Sequence, residues 1–153
     1  MILRSFTAEL DAETAEAMNA FEKEFSYPLG ETDRFRISHQ PHYLRFFQAM
    51  GKAHLLVAMK GDTVLGSLVT VRRQIIVGGE QLDAHYFCDL KILPATRGSR
   101  TLARLFAATQ SRIRAAGGSL ACYGVVMDAC PATTPAGLRF PLFPQSAGSP
   151  FCD

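Results

Sequence analysis

The sequence predicts an α/β (α+β) protein: a mixed, mostly antiparallel central sheet flanked by helices, in the order β-α-α-β-β-β-α-β. Three observations predict it. Strand-like runs at 53–59, 64–77 and 82–93 are joined by two tight-turn signals, Lys60-Gly61-Asp62-Thr63 and Gly78-Gly79, which reads as consecutive hairpins. A helix-period stretch follows at about 99–116. One more strand-like run, 120–127, comes after it. A helix between two strands is a crossover, so those last two strands are expected to be parallel neighbours.

The elements follow in order. Residues 2–6 make a short strand. Asp11 is a capping residue for a helix running to about Phe25, with Met18, Phe21 and Phe25 on one face. Residues 27–34, with Pro28, Gly30 and Asp33, read as a loop. Ser38 followed by Pro41 reads as the start of a second helix through Met50, with Leu44 and Phe47 inward. The second of the three hairpin strands, 64–77, is rich in β-branched residues, with Gly66 near its start. In the helix after them, Leu102, Leu105, Phe106, Thr109 and Ile113 form the core stripe, and Gly117-Gly118 stops it. Beyond residue 127 the character changes. Residues 128–153 hold five of the eight prolines and no periodic pattern. They read as an irregular Pro-rich tail on a domain of residues 1–127, whether as an extension, a swapped arm or the remnant of a truncated domain.

Composition excludes several classes. With 153 residues, 48% apolar and 20% charged, the chain can bury one core. No apolar run approaches the roughly 18 residues of a membrane span, and 1–10 lacks the pattern of a signal peptide. The four cysteines, Cys88, Cys122, Cys130 and Cys152, show no CxxC spacing. Reduced thiols in a cytoplasmic protein are the expectation. A net charge of +2 gives no argument for nucleic acid. The distribution says more: Arg97, Arg100, Arg104, Arg112 and Arg114 fall within eighteen residues with no acid among them.

Three of those arginines gather at one strand-to-helix corner, TRGSRT, residues 96–101. A helix start presents unpaired N–H groups and the positive end of the dipole, a ready site for phosphate. Gly98 admits close approach of a ligand. Ser99 and Thr101 offer hydroxyls, and Arg97, Arg100 and Arg104 offer charge. A capped helix with a solvated basic face accounts for the same residues. The element order and this corner together resemble the GCN5-related N-acetyltransferases (GNAT) over about residues 2–127. In that family Q/R-x-x-G-x-G/A precedes a helix and its N–H groups hold the pyrophosphate of acetyl-CoA. Here Arg97-Gly98-Ser99-Arg100-Thr101-Leu102 stands in that place. Arg97 fits the first position; Arg100 and Leu102 replace the small residues. Leu102 is expected to turn into the core. The approach DLKILP and the hairpin Asp62-Thr63-Val64-Leu65-Gly66 match the family pattern as well.

The resemblance implies direct transfer of an acetyl group from acetyl-CoA, as co-substrate and without metal, to the amine of a small molecule or peptide. It implies that backbone groups near Leu90, Ile92 and Leu93 bind the pantetheine arm. The amine must lose a proton to attack, so a base is needed. Strict alternation along 82–93 puts Asp83, His85, Phe87, Asp89 and Lys91 on one face and Tyr86, Cys88 and Leu90 on the other. Asp89 is the first candidate base or amine-binding group and His85 the second; each also reads as a partner for Arg72 or Arg73. Tyr123 is a candidate that packing would equally explain. Cys88 and Cys122 lack an activating neighbour, and core packing is expected for both. His39 and His42, three apart, are two ligands without a third. Segment 25–45, rich in aromatics, arginine and histidine, is expected to shape the acceptor pocket. A non-catalytic module binding CoA or another phosphate ligand is the alternative function. So is a structural domain whose open last strand pairs with a second copy in a homodimer.

Overall fold

The computed structural model describes residues 1–117 and 121–125. Five strands among them form one sheet in the order β1-β4-β5-β6-β7. They are β1 (Ile2–Phe6), β4 (Lys52–Lys60), β5 (Thr63–Val77), β6 (Glu80–Ile92) and β7 (Cys122–Gly124). β1, β4, β5 and β6 pair antiparallel. β6 and β7 pair parallel, in the register His85 with Cys122 through Phe87 with Gly124, as a helical crossover requires. The two hairpin turns fall where the sequence places them. Gly61, Gly78 and Gly79 there take φ of 58°, 59° and 87°, a region open to glycine. The remainder of the expected last strand, the Pro-rich tail and Cys130 and Cys152 lie outside the described residues.

Helix α1 (Ala12–Glu22) starts on Asp11, whose Oδ1 accepts from the Thr14 N–H at 2.8 Å. It ends at Glu22 rather than near Phe25, though Phe25 still packs edge-on against Phe21, ring centroids 4.9 Å apart. The expected loop at 27–34 holds a small hairpin instead: β2 (Tyr27–Leu29) pairs with β3 (Asp33–Phe35) around Gly30 at φ 68°. The second helix is much shorter than expected. α2 covers only Arg45–Gln48. Residues 38–41 are drawn off helical geometry because His39 is tied down, its backbone N–H and its ring both bonded to Glu22. Helix α3 (Thr101–Ala115) follows a 3₁₀ turn at Pro94–Thr96. Its C-terminal turn carries Arg112 and Arg114, which complement the helix dipole.

The sheet is covered on both faces. Met18 and Phe21 of α1, Tyr43, Leu44 and Phe47 pack on one face, against Leu55, Val57, Val69 and Val71. Leu105 and Phe106 of α3 pack on the other, against Leu56, Ala58 and Leu68. The α3 stripe differs from expectation at its first position. Thr101 is buried there and Leu102 is 38% exposed.

Candidate active site

Between β5 and β6 the sheet departs from regular pairing. Ser67 pairs with Lys91 and Val69 with Cys88, so Leu68 alone opposes both Asp89 and Leu90. This is a β-bulge, and Asp89 sits in it at φ 47°. The bulge breaks the period-2 alternation assumed from sequence. Asp89 and Lys91 do not share a face with His85 and Phe87. They join Tyr86 and Cys88 on the face that carries α1 and α2, where Asp89 meets Tyr43 and Lys91 meets Glu22. His85 stays on the α3 face by alternation from Tyr86, and Arg112 of α3 contributes to lowering its pKa, after burial and Arg72. His85 lies opposite Arg72 across the ladder, but the ion pair of Arg72 is with Asp83, at 2.6 Å.

Asp89 belongs to a buried polar cluster drawn from four parts of the chain. Its carboxylate accepts from the Tyr43 hydroxyl, and its Oδ1 lies 2.5 Å from Lys91 Nζ. The same ammonium lies 3.4 Å from Glu22 Oε1. Glu22 accepts from His39 Nδ1 at 2.6 Å and from the His39 backbone N–H at 3.2 Å. Burial pushes Glu22 up, but the two His39 hydrogen bonds and Lys91 outweigh it, and its pKa is lowered. Burial, then the Asp89 charge and hydrogen bond, hold the Tyr43 hydroxyl protonated far above its ordinary range. Ser67 Oγ lies beside that phenol but outside hydrogen-bond geometry. Glu22, His39 and Asp89 bring three ligand atoms within 4.8 Å of one another. Lys91 already serves as the cation between the two carboxylates. His39 and His42 do not converge: His42 turns to Glu9 at 3.1 Å.

This cluster floors an open cleft of about 620 Å³. Asp89, Cys88 and Tyr86 of β6 form one wall; His39, Phe46 and Phe47 face them. His39 and Glu22 were not singled out as a pair from sequence. They are seventeen residues apart, and only the chain reversal between α1 and α2 joins them. With the proton on Nδ1, as its contact with a carboxylate requires in the neutral ring, His39 Nε2 carries a lone pair on the far side of the ring. That is a base oriented by a buried acid.

Beyond the cleft, the outer edge of β6 opens. Among the described residues its pairing with β7 stops at Phe87 and Gly124. Before the bulge, His85 N–H points to β7, donating to Ala121 O at 2.8 Å. After it, Leu93 N–H points back to Leu65 O at 2.9 Å, and Leu93 O accepts from Thr96 N–H at 2.8 Å. Alternation then turns the N–H groups of Leu90 and Ile92 to the open edge. Leu93, expected to join them, is already committed within the chain. Tyr123 on β7 stacks on Tyr86, centroids 5.0 Å apart. Neither described thiol is poised as a thiolate: burial pushes Cys88 up to about 12, with help from Asp89, and Cys122 to about 11.

At the far end of β6 lies the arginine corner. Gly98 takes φ 82°, and Arg97, Gly98, Ser99, Arg100 and Arg104 are exposed. Two expected donors are spent internally. Ser99 Oγ donates to Thr101 Oγ1 at 2.9 Å and accepts from Thr101 N–H at 3.3 Å. Thr101 itself is buried against Gly66, where an added Cβ would meet its Cγ2 at 3.2 Å. The N–H groups of Leu102 and Ala103 fall in the first turn, where a helix supplies no partner.

No family model and no curated protein matches the chain by sequence. Solved structures do match. A Bacillus halodurans protein, solved as a mutant, is 24% identical with a TM-score of 0.57, over 84% of this chain and 83% of that one. The aminoglycoside N-acetyltransferase AAC(6')-Iy in complex with CoA is 14% identical, TM-score 0.56, over 84% and 81%. A GNAT family acetyltransferase from Brucella melitensis in complex with acetyl-CoA is 21% identical, TM-score 0.53, over 82% and 77%. The fold is that of the GCN5-related N-acetyltransferases.

Proposed function

We propose that the protein is an N-acetyltransferase that moves an acetyl group from acetyl-CoA to an amine bound in the cleft of β6. One observation carries the reading: a single strand, β6, joins an open backbone edge, a polar-floored cleft and the arginine corner. Two neighbours of this fold hold CoA or acetyl-CoA, which supports the same co-substrate here. In this reading Arg97 and Arg100 pair with the pyrophosphate at the start of α3, and the Leu90 and Ile92 N–H groups bind the pantetheine arm.

The acceptor ammonium docks beside Asp89 and gives a proton to His39 Nε2, with Glu22 holding the ring. The neutral nitrogen attacks the thioester carbon. The C–N bond forms, the C–S bond breaks, and the CoA thiolate leaves, taking a proton from Tyr123, whose phenolate takes up the second proton that the nitrogen loses as it becomes an amide. Tyr43 and Lys91 hold Asp89 in place. His85, on the other face of the sheet, has no part in the step.

Thermal unfolding with and without millimolar acetyl-CoA tests the reading. A ligand at a hundred times its Kd adds about 2.7 kcal/mol, several degrees for a domain of this size. The expected result is a shift in the wild type that is lost in Arg97→Ala, Arg100→Ala. No shift in either protein would favour the structural alternative.

A further inference from the structure

The cleft that receives the acceptor is chemically one-sided. Its aromatic walls are Phe46, Phe47, Tyr86 and the ring of His39, and Asp89 is its one acidic or basic group besides that histidine among the described residues. Three of these rings pack on one another along one side of the cleft. Phe46 and Phe47 meet edge-on at 5.3 Å, and His39 packs 4.9 Å from Phe47. Phe46 is 62% exposed, and nearby Ile37 is 39% exposed. Large apolar side chains left open at the rim of a cleft are surface that a ligand can cover.

The charge on the floor sets how many positive groups the cleft can take. Glu22 and Asp89 carry two negative charges and Lys91 one positive. Among these three groups one negative charge is left over. A carboxylate has about four acceptor positions, and the Tyr43 hydroxyl and Lys91 use only part of those on Asp89. One further ammonium fits there. A second cationic group on the acceptor would lie among aromatic walls with no carboxylate to meet it, and Lys91 would repel it.

Building on the transferase reading, we infer that the acceptor is a monocationic primary amine with a flat apolar body, of the arylalkylamine kind, and not a polyamine, an aminoglycoside or a basic peptide. The ammonium sits on Asp89 and the ring lies between Tyr86 and Phe46. The amine nitrogen is thereby held within the reach of the His39–Glu22 pair. An aromatic face also attracts the ammonium by its quadrupole, which reinforces the same orientation.

The test uses the full chain, acetyl-CoA and release of free CoA thiol with four probe amines: 2-phenylethylamine, ethylamine, spermidine and a lysine-containing peptide. The expected kcat/KM for 2-phenylethylamine exceeds that for ethylamine by at least about tenfold, a typical effect of filling an apolar pocket, and exceeds those of the two polycationic acceptors. Phe46→Ala, at a position 62% exposed, should raise KM for 2-phenylethylamine and leave KM for acetyl-CoA unchanged. Preference for spermidine or the peptide overturns the acceptor class, as does turnover of none of the four by a chain that still binds acetyl-CoA. The first outcome leaves the transferase reading standing; the second is the behaviour of the non-catalytic CoA-binding module. Failure to bind acetyl-CoA at all overturns the two together.

Discussion

Lys91 is the residue on which the candidate site depends electrostatically. Its ammonium is 2% exposed and stands between two carboxylates that are 3% and 9% exposed. Removing one partner of a buried ionic group strands the others, at a typical cost of about 3–5 kcal/mol. Lys91→Met keeps the bulk and removes the charge, so chemical denaturation should show a loss of that size. A loss below about 1 kcal/mol would mean that water already reaches Glu22 and Asp89. His39 and Glu22 make a different prediction, about rate. His39→Gln should lower kcat by about 10²–10⁴-fold, the usual weight of a general base. Glu22→Gln should lower kcat less and leave KM for acetyl-CoA unchanged, since it positions the ring and touches no substrate. Little of this was legible in the sequence. Asp89 stood out as a carboxylate on the right strand, but its partners are 46 and 67 residues away in Tyr43 and Glu22, and pattern alone does not bring such residues together. His39 was visible only as half of a histidine pair whose members turn to different acids.

At the scale of elements, the hairpins were legible because two short turns and β-branched runs signal them locally. The bulge was not. A period-2 rule has no term for an inserted residue, so every assignment past Asp89 moved to the wrong face. α2 failed for a related reason: the Ser38–Pro41 start signal is local, and the tie between His39 and Glu22 overrides it. The strands also carry a pH-dependent element. His54 of β4 is buried, with Nε2 2.7 Å from Ser5 Oγ of β1. Burial, and then the charge of Arg112, lower its pKa from 6.5 to about 4. The unfolded chain therefore binds this proton more readily than the folded one between those values. Stability is full above pH 6.5 and falls as pH drops toward 4, by something of order 3 kcal/mol at 1.36 kcal/mol per unit. His54→Leu should flatten that part of the stability curve while the carboxylate-driven loss at lower pH remains. An unchanged slope in His54→Leu would place the proton uptake elsewhere. Gly66 links β5 to the corner in the same way. An alanine Cβ there would meet Ile92 Cδ1 at 2.7 Å and Lys91 O at 3.0 Å, so Gly66→Ala should both destabilise the chain and displace the start of α3.

For the whole molecule, the sum of charges hides their placement. The net charge is only +2, yet α3 and its approach carry five arginines without an acid. On the opposite side of the sheet, the acids Glu22 and Asp89 are buried and balanced locally by Lys91. The molecule thus presents a basic helix start to solvent and a nearly neutral cleft, matching a co-substrate with several negative charges and an acceptor with one positive charge. The two binding events should respond differently to salt. The exposed arginines act through water, where the Debye length shrinks from about 10 Å at 0.1 M to about 3 Å at 1 M. The Kd for acetyl-CoA should therefore rise steeply over that range. The variant Arg97→Ala, Arg100→Ala should bind more weakly at low salt and show a flatter dependence, because the charges that salt screens are gone. In the proposed complex the amine meets Asp89, whose side chain is 9% exposed, where screening is weaker, so its KM should change less over the same range. If acetyl-CoA affinity were indifferent to salt while the variant still lost binding, the arginines would act by shape and hydrogen bonding at the corner. The positive face of α3 would then have no part in drawing the nucleotide in.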